Sequence, residues 1–103
     1  MVFRVAEPGK PAFQLRPGEE GLSIFDPGAV DPPLNDTEVL AGFRASSRVV
    51  VRTKAEIEAK GMVIVPITGT HLLPPRLREA HAELRPGPTM TRQQFKNALK
   101  ELE

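Results

Sequence analysis

Hydrophobic and polar positions follow their clearest order in the second half of the chain. A continuous apolar run, Met62–Val65, is followed by a polar turn, Pro66–Pro75, and then by the alternating segment Ala80–Arg85. Continuous apolarity over four to eight residues is typical of a strand buried on both faces. The run therefore predicts a central strand, and the alternation predicts a second strand after the turn.

The alternation gives this second strand two different faces. The aliphatic face carries Ala80, Ala82 and Leu84. The polar face carries His81, Glu83 and Arg85. Both histidines of the chain lie in this part, since His71 belongs to the turn. A single helical turn is expected at Pro75–Arg78, because proline suits the first helical position.

Three short strands are predicted in the first quarter of the chain. They are separated by turns rich in proline and glycine: Val2–Val5, Ala12–Arg16 and Gly21–Phe25. In the third strand two aliphatic residues alternate with a glycine, a hydroxyl and an aromatic ring: Leu22 and Ile24 with Gly21, Ser23 and Phe25. One face of that strand is therefore aliphatic, and Ser23 on the other face is interpreted, taken alone, as a strand serine whose hydroxyl is hydrogen-bonded.

The middle of the chain predicts a helix, a strand and a helix: Asp36–Phe43, Arg48–Arg52 and Lys54–Lys60. A capping box, in which a polar residue precedes a glutamate by three positions, opens each helix: Asn35 with Glu38 and Thr53 with Glu56. Gly61 occupies the position that ends the second helix.

The last predicted helix, Arg92–Leu102, has the most regular pattern. Thr91 and Gln94 form its capping box. Four apolar residues follow at helical spacing: Phe95, Ala98, Leu99 and Leu102. This stripe predicts a helix that packs on the core with one face.

These elements predict one domain over residues 1–103. We expect a compact α+β fold, with a mixed but mostly antiparallel sheet of five or six short strands and two or three helices. A chain of this length buries roughly two-thirds of its unfolded surface without metals or disulfides.

Composition excludes several classes of function. The chain has no cysteine, so disulfides, zinc-thiolate sites and thiol catalysis are excluded, and a reducing cytoplasm is expected. Its net charge of +1 gives no overall field toward nucleic acid or anionic lipid, so neither sequence-specific nucleic-acid binding nor membrane association is expected. Met1–Arg4 lacks the pattern of a cleaved secretory signal. The 11 prolines predict stiff connectors between short elements.

The residues that could carry chemistry are scattered along the chain. There is no phosphate loop or nucleophile elbow, and His71 and His81 lie on different elements, so no metal site is expected. Arg4, Ser23, His81 and Glu83 lie on short strands, and together they suit a ligand with phosphate and ribose groups. The same pattern is typical of a half-solvated sheet whose polar residues face water, and pattern alone favours that interpretation.

Five motifs occur in an order that resembles one protein family. They are Phe3–Val5, Gly21–Asp26, Val65–Leu77, His81 and Pro86–Met90, followed by the final helix. This order is similar to that of the NAD-dependent effector toxins of type VI secretion, which have an ADP-ribosyltransferase-like fold. The resemblance covers most of the chain and is weakest over Ala29–Lys60.

The resemblance implies a role for each candidate residue. Arg4 would hold phosphate or ribose of NAD, and Ser23 would support the nicotinamide ribose. Glu83 or His81 would stand where the catalytic carboxylate of such enzymes often lies. The chain has no tyrosine, so either Phe25 or another phenylalanine would contact the nicotinamide ring, or this aromatic contact is missing.

The same resemblance implies a toxin domain that transfers ADP-ribose from NAD, or hydrolyses NAD, inside a target cell. A cognate antitoxin or immunity protein and a macromolecular target would be its partners. The missing tyrosine leaves a second hypothesis open, which is a non-catalytic protein-binding module, such as a phage-encoded or toxin-associated interaction domain.

Overall fold

Short strands and short helices alternate along the chain. The computed structural model describes residues 1–69 and 72–103. These ranges contain five strands, β1 to β5: Val2–Ala6, Leu22–Phe25, Arg48–Arg52, Val63–Pro66 and His81–Arg85. They also contain four α-helices, α1 to α4, and a 3₁₀ turn: Asp36–Leu40, Lys54–Ala59, Pro75–Ala80 and Arg92–Lys100, with the 3₁₀ turn at Pro27–Ala29.

The strands form one sheet in the order β3-β1-β2-β5-β4. The predicted α+β class and the predicted strand number are confirmed. Two details differ: all the recorded strand pairs are antiparallel, and the described residues form four helices instead of two or three. A helix of five or six residues is too short to leave a clear periodic stripe in the sequence. The radius of gyration of 13.1 Å is close to that of a compact domain of about 100 residues.

The first face of the sheet, which carries Val2, Leu22, Ile24, Ala82 and Leu84, packs in the larger of two cores. The predicted stripe of α4 is buried in this core, so that prediction is confirmed: Phe95, Ala98, Leu99 and Leu102. Ile57 of α2 and Phe13 of the connector before β2 complete the core.

The second face of the sheet begins with Phe3 and Phe25 and is covered by α1 and α3. An ion pair joins these two helices, because Arg76 donates from Nε to Oε2 of Glu38 at 2.7 Å and from Nη2 to Oε1 at 3.2 Å. Two parallel bonds of this kind fix the orientation of both side chains. The pair therefore keeps α1 and α3 side by side over the aromatic part of the sheet.

The prediction of a strand at Ala12–Arg16 is wrong. The segment is irregular, although its apolar side chains are buried. Side chains bind its backbone where a neighbouring strand would otherwise do so. The N–H groups of Ala12 and Phe13 donate to the Glu103 carboxylate at 2.8 and 3.1 Å, and Arg4 Nε donates to the Ala12 carbonyl at 2.7 Å.

The apolar run Met62–Val65 was predicted to be a central strand, and this prediction is wrong. Most of the run lies in an edge strand. β4 spans Val63–Pro66 and pairs only with β5, and both of its end residues are exposed. Proline has no N–H to donate and is confined to edge strands or strand ends, so Pro66 suits this position. Met62 is buried in the larger core immediately before the strand begins.

α1 ends at Leu40 instead of the predicted Phe43. Gly42 passes so close to α3 that a Cβ on it would lie 2.9 Å from Cδ1 of Leu77. Cδ1 is the end of a flexible side chain, so this contact alone does not require glycine at position 42. Glycine is among the weakest helix formers, which agrees with the end of α1 two residues earlier.

Two smaller boundaries also differ from prediction. Ala80 is the last residue of α3 and not the first residue of β5, and α3 is longer than the single predicted turn at Pro75–Arg78. α2 ends at Ala59, one residue before the predicted end. The predicted turn Pro66–Pro75 includes Thr70 and His71, which lie outside the described residues.

The predicted helix caps are confirmed in two cases and half formed in the third. Both elements of the capping box are present at two helices: Thr53 with Glu56 and Thr91 with Gln94. Asn35 Oδ1 accepts a hydrogen bond from the N–H of Glu38 at 2.8 Å, but the Glu38 carboxylate binds Arg76 instead of the cap. The tertiary ion pair has replaced half of this local motif.

The helices in the described ranges are all short. The longest, α4, has nine residues, and none of them has the length and apolar composition needed to cross a membrane.

We expect the α4 stripe to dominate the stability of the larger core. Phe95 is only 1% exposed, so Phe95→Ala should lower the free energy of unfolding by about 3–5 kcal/mol. The exposed Gln93→Ala on the same helix is the control and should cost about 0.5 kcal/mol or less. Urea unfolding followed by circular dichroism measures both. Similar losses for the two variants would contradict the packing of α4.

The Glu38–Arg76 pair should make stability depend on pH. The hydrogen bond from Arg76 lowers the pKa of the Glu38 carboxyl in the folded chain. The ionised carboxylate therefore stabilises the fold above the ordinary pKa of about 4.3, and this contribution is lost as pH falls through the lower, folded-state pKa. We expect Glu38→Gln to lower Tm at pH 7, and the gap to wild type to close as the pH falls below the folded-state pKa of Glu38. Glu58→Gln, which removes an exposed carboxylate on α2, is the control. A Glu38→Gln gap that stays constant with pH would contradict this assignment.

Candidate functional site

An uncovered polar strip lies on the second face of the sheet, beyond the aromatic residues. We define the polar strip as Gly21, Ser23, Glu83 and Arg85. Ser23 lies directly opposite Glu83 in the pairing of β2 with β5. Residues paired in this way have Cβ atoms about 5 Å apart. Ser23 is exposed and Glu83 is half-buried, so both are reachable from solvent.

The Glu83 carboxylate is held in place by its neighbour along β5. Arg85 donates to Glu83 Oε1 from Nε at 3.0 Å and from Nη2 at 2.7 Å. The carboxylate lies over Gly21, where an added Cβ would be 3.2 Å from Oε1 and 3.0 Å from the Leu84 carbonyl. Within the described residues Oε2 has no hydrogen-bond partner, so one carboxylate oxygen faces outward with its orientation already fixed.

His81 and Phe25 lie on the same face but are buried, with exposures of 7% and 3%. They are directly opposite each other in the β2–β5 pairing, and their rings meet edge to face at 5.7 Å. His81 Nδ1 lies 2.9 Å from the carbonyl oxygen of Ile67. These two candidates therefore support the sheet from inside, whereas Ser23 and Glu83 reach its surface.

Arg4 projects from β1 toward the opposite face, because it alternates with Phe3 and Val5. The sequence pattern had suggested that Arg4 would share one cleft with Ser23 and Glu83, and at the level of strand faces it does not. Its guanidinium instead donates from Nη1 to the Ser23 carbonyl at 2.9 Å and from Nε to the Ala12 carbonyl at 2.7 Å.

Burial lowers the pKa of the Arg4 guanidinium, and the negative charge of Glu19 opposes this effect. Arginine nevertheless stays protonated in proteins, so Arg4 is a half-buried permanent cation. Two of its five N–H donors are used by backbone carbonyls. Nη2 has no acceptor within the described part of the chain.

A pocket opens where β1 and β2 cease to pair. Their recorded register is a single pair, Phe3 opposite Phe25, and the pocket lies beyond it, beside Arg4 and Val5. Its volume is about 340 Å³. Four cationic and two anionic side chains line it, a net charge of +2: Arg4, Lys10, Arg16 and Arg44 with Glu7 and Glu19. Such a pocket suits an anionic ligand.

The candidates therefore form a row across three adjacent strands. Arg4 on β1 binds the backbone of Ser23 on β2, and Ser23 lies opposite Glu83 on β5. The pocket stands at the Arg4 end of the row and the oriented carboxylate at the other end. The three residues lie on adjacent strands, but the Arg4 side chain leaves the opposite face of the sheet from the Ser23 hydroxyl and the Glu83 carboxylate, and it reaches Ser23 through the backbone carbonyl.

Of the residues that line the pocket, sequence reasoning proposed only Arg4 as a site residue. Phe43 was predicted as the last residue of the first helix, and Arg44 was not assigned to any element. Both lie outside the helix, and both are exposed. Gly42 is the one local signal for this, because a glycine inside an expected helix weakens that expectation.

No protein-family model, curated protein or solved structure matches this chain. The likeness to ADP-ribosyltransferase toxins consequently stays a prediction from the sequence motifs. Among the described residues, no three acidic or histidine side chains come together in a way that could hold a metal ion.

Arg4 and Ser23 should differ in their effect on stability. Arg4→Met should lower the free energy of unfolding by about 1.5–3 kcal/mol, because hydrogen bonds from a charged group are lost and two carbonyls lose their donor. Ser23→Ala should change it by about 0.5 kcal/mol or less, because the side chain is exposed. Urea unfolding measures both values.

The matched control for Arg4 is Arg16→Met, which removes an exposed arginine that pairs with Glu7 at 3.3 Å. Such surface pairs contribute about 0–1 kcal/mol. An Arg4 variant as stable as the Arg16 variant would mean that Arg4 does not hold β1 to β2.

Proposed function

We propose that this chain binds NAD and cleaves its N-glycosidic bond, and transfers the ADP-ribose to a macromolecular target or to water. The observation that carries the proposal is the row formed by Arg4, Ser23 and Glu83 beside a cationic pocket. The resemblance implies Arg4, Ser23 and either Glu83 or His81, and these residues lie on three adjacent strands.

The charges along the row suit the parts of NAD. The diphosphate fits the pocket, where Arg4 Nη2 and the side chains of Lys10 and Arg44 supply donors. The nicotinamide ribose then extends along the polar strip, with the Ser23 hydroxyl as a hydrogen-bonding partner. Glu83 lies at the end of this path.

Glu83 performs the chemical step in this proposal. Its free Oε2 accepts a hydrogen bond from a ribose hydroxyl, and its negative charge stabilises the oxocarbenium-like ribose that forms as the bond breaks. The electron pair of the broken bond remains on the nicotinamide nitrogen, which leaves as neutral nicotinamide. A nucleophile of the target, or water, attacks the ribose carbon and loses a proton. Arg85 holds the carboxylate ready for this role.

His81 has a positioning role in this mechanism. It is buried behind Phe25 and cannot touch a ligand at the polar strip. Its contact with Phe25 and its bond to the Ile67 carbonyl keep β5 in register with β2 and with the chain after β4.

In this proposal the chain cleaves NAD in the cytoplasm of a target cell, and an antitoxin or immunity protein inhibits it.

Release of nicotinamide from NAD by the purified chain tests the proposal. We expect Glu83→Gln to lower the rate by at least about 100-fold, because it removes the charge that stabilises the transition state. Ser23→Ala should also lower it without loss of stability. Glu58→Gln, an exposed carboxylate on α2, is the matched control and should leave the rate unchanged.

A folded wild-type chain that neither binds NAD nor releases nicotinamide would overturn the proposal. That result would favour the second candidate, a non-catalytic protein-binding module. The observation in favour of that candidate is that each edge strand carries an exposed valine, Val51 on β3 and Val63 on β4, with exposures of 41% and 38%. An open strand edge with exposed apolar residues is a template for pairing with another chain.

A further inference from the structure

One aromatic ring of the chain is open to solvent and borders the pocket. The chain has five phenylalanines, no tyrosine and no tryptophan, and all five phenylalanines lie in the described ranges. Four of them are at most 6% exposed, whereas Phe43 is 38% exposed. Phe43 lines the same pocket as Arg4 and Arg44. Phe43 therefore presents an uncovered aromatic surface beside the cations of the pocket.

The Phe43 ring is held in place from below. It meets the buried ring of Phe25 edge to face, with centroids 5.9 Å apart and planes at 73°. Phe25 in turn rests against His81 at 5.7 Å. The preceding residue, Gly42, is pressed against Leu77 of α3. These contacts fix the position of the ring while they leave part of its surface uncovered.

The surroundings of Phe43 define the chemistry of a ligand. The cations at Arg4, Lys10 and Arg44 attract phosphate groups, and the exposed ring offers an apolar surface for stacking. Proteins that bind single-stranded nucleic acid without sequence preference combine these same two features, a cationic groove and aromatic side chains on which the bases stack. A ligand with phosphate alone would leave the ring exposed.

We infer that Phe43, and not the buried Phe25, is the residue that stacks against a planar ring of the bound nucleotide. The inference rests on the proposed NAD site and adds a specificity-determining residue to it. Two rings of NAD share the required chemistry, the nicotinamide and the adenine. Phe25 acts as the support on which Phe43 rests.

Matched probes isolate the contribution of the ring. Nicotinamide mononucleotide and AMP each add one ring to ribose 5-phosphate, so that a comparison with ribose 5-phosphate removes the phosphate contribution. The affinity of the full chain for each of the three is measured by calorimetry. The variants are Phe43→Ala and Phe43→Leu, and the second keeps most of the apolar contact with Phe25. Val51→Ala, which removes another exposed hydrophobic side chain, is the control.

We expect both Phe43 variants to bind one of the two ring-bearing probes about 5- to 100-fold more weakly, the range that base stacking on an aromatic side chain provides. The probe that is affected identifies the ring. The affinity for ribose 5-phosphate should stay the same, Phe43→Tyr should restore binding, and Val51→Ala should have no effect.

The outcomes separate this inference from the proposed function. If NAD binds but neither ring-bearing probe is weakened in Phe43→Leu, the role of Phe43 is overturned and the NAD site is retained. If Phe43→Leu weakens a probe but the wild type releases no nicotinamide, the stacking role holds and the proposed catalysis fails. If ribose 5-phosphate is weakened as much as the ring-bearing probes, Phe43 supports the pocket without stacking, and the inference fails.

Discussion

The arrangement of the sheet depends on the guanidinium of Arg4. β1 and β2 pair at Phe3 and Phe25, and beyond that pair the Ser23 carbonyl requires a donor that the neighbouring strand does not give. Arg4 supplies it and binds the Ala12 carbonyl as well. The Ala12 bond is part-buried, and a buried carbonyl without a donor costs about 1–3 kcal/mol, so Arg4 stabilises the chain beside the opening between the strands. The pocket exists as a consequence of that opening.

Charged side chains also replace a strand in the connector before β2. Glu103 accepts the N–H groups of Ala12 and Phe13, and Arg52 donates to the Leu102 carbonyl at 2.7 Å while its guanidinium lies 5.5 Å from the centre of the Phe13 ring. Each of these bonds joins residues far apart in the chain. They explain why an apolar segment with strand-like spacing is irregular, and why no local pattern could have predicted it.

Features that depend on neighbouring residues were predictable from the sequence, and features that depend on distant contacts were not. The capping box and stripe of α4 lie within a dozen residues, so Thr91 and Phe95 could be assigned correctly. The edge position of β4 depends on which strands pair elsewhere. At the candidate site, alternation placed His81 and Glu83 on one face, but only their surroundings in the fold make the first buried and leave the second half-buried.

That face of the sheet has a covered half and an uncovered half. Residues of the covered half stabilise the fold, and residues of the uncovered half are available to a ligand. Phe25 is buried in the smaller core under the helices, and His81 is buried against the Phe25 ring and the Ile67 carbonyl, so their substitution would disturb the fold before it disturbed any ligand. Ser23 has an exposed side chain, and Glu83 keeps one carboxylate oxygen outward. Arg4 belongs to both groups, since two of its donors bind the backbone and the remaining ones face the pocket. Loss of activity in an Arg4 variant would therefore report on the sheet as much as on the ligand. Substitutions at Ser23 and Glu83 test the chemistry of the row most directly, because these two side chains contribute least to the stability of the fold.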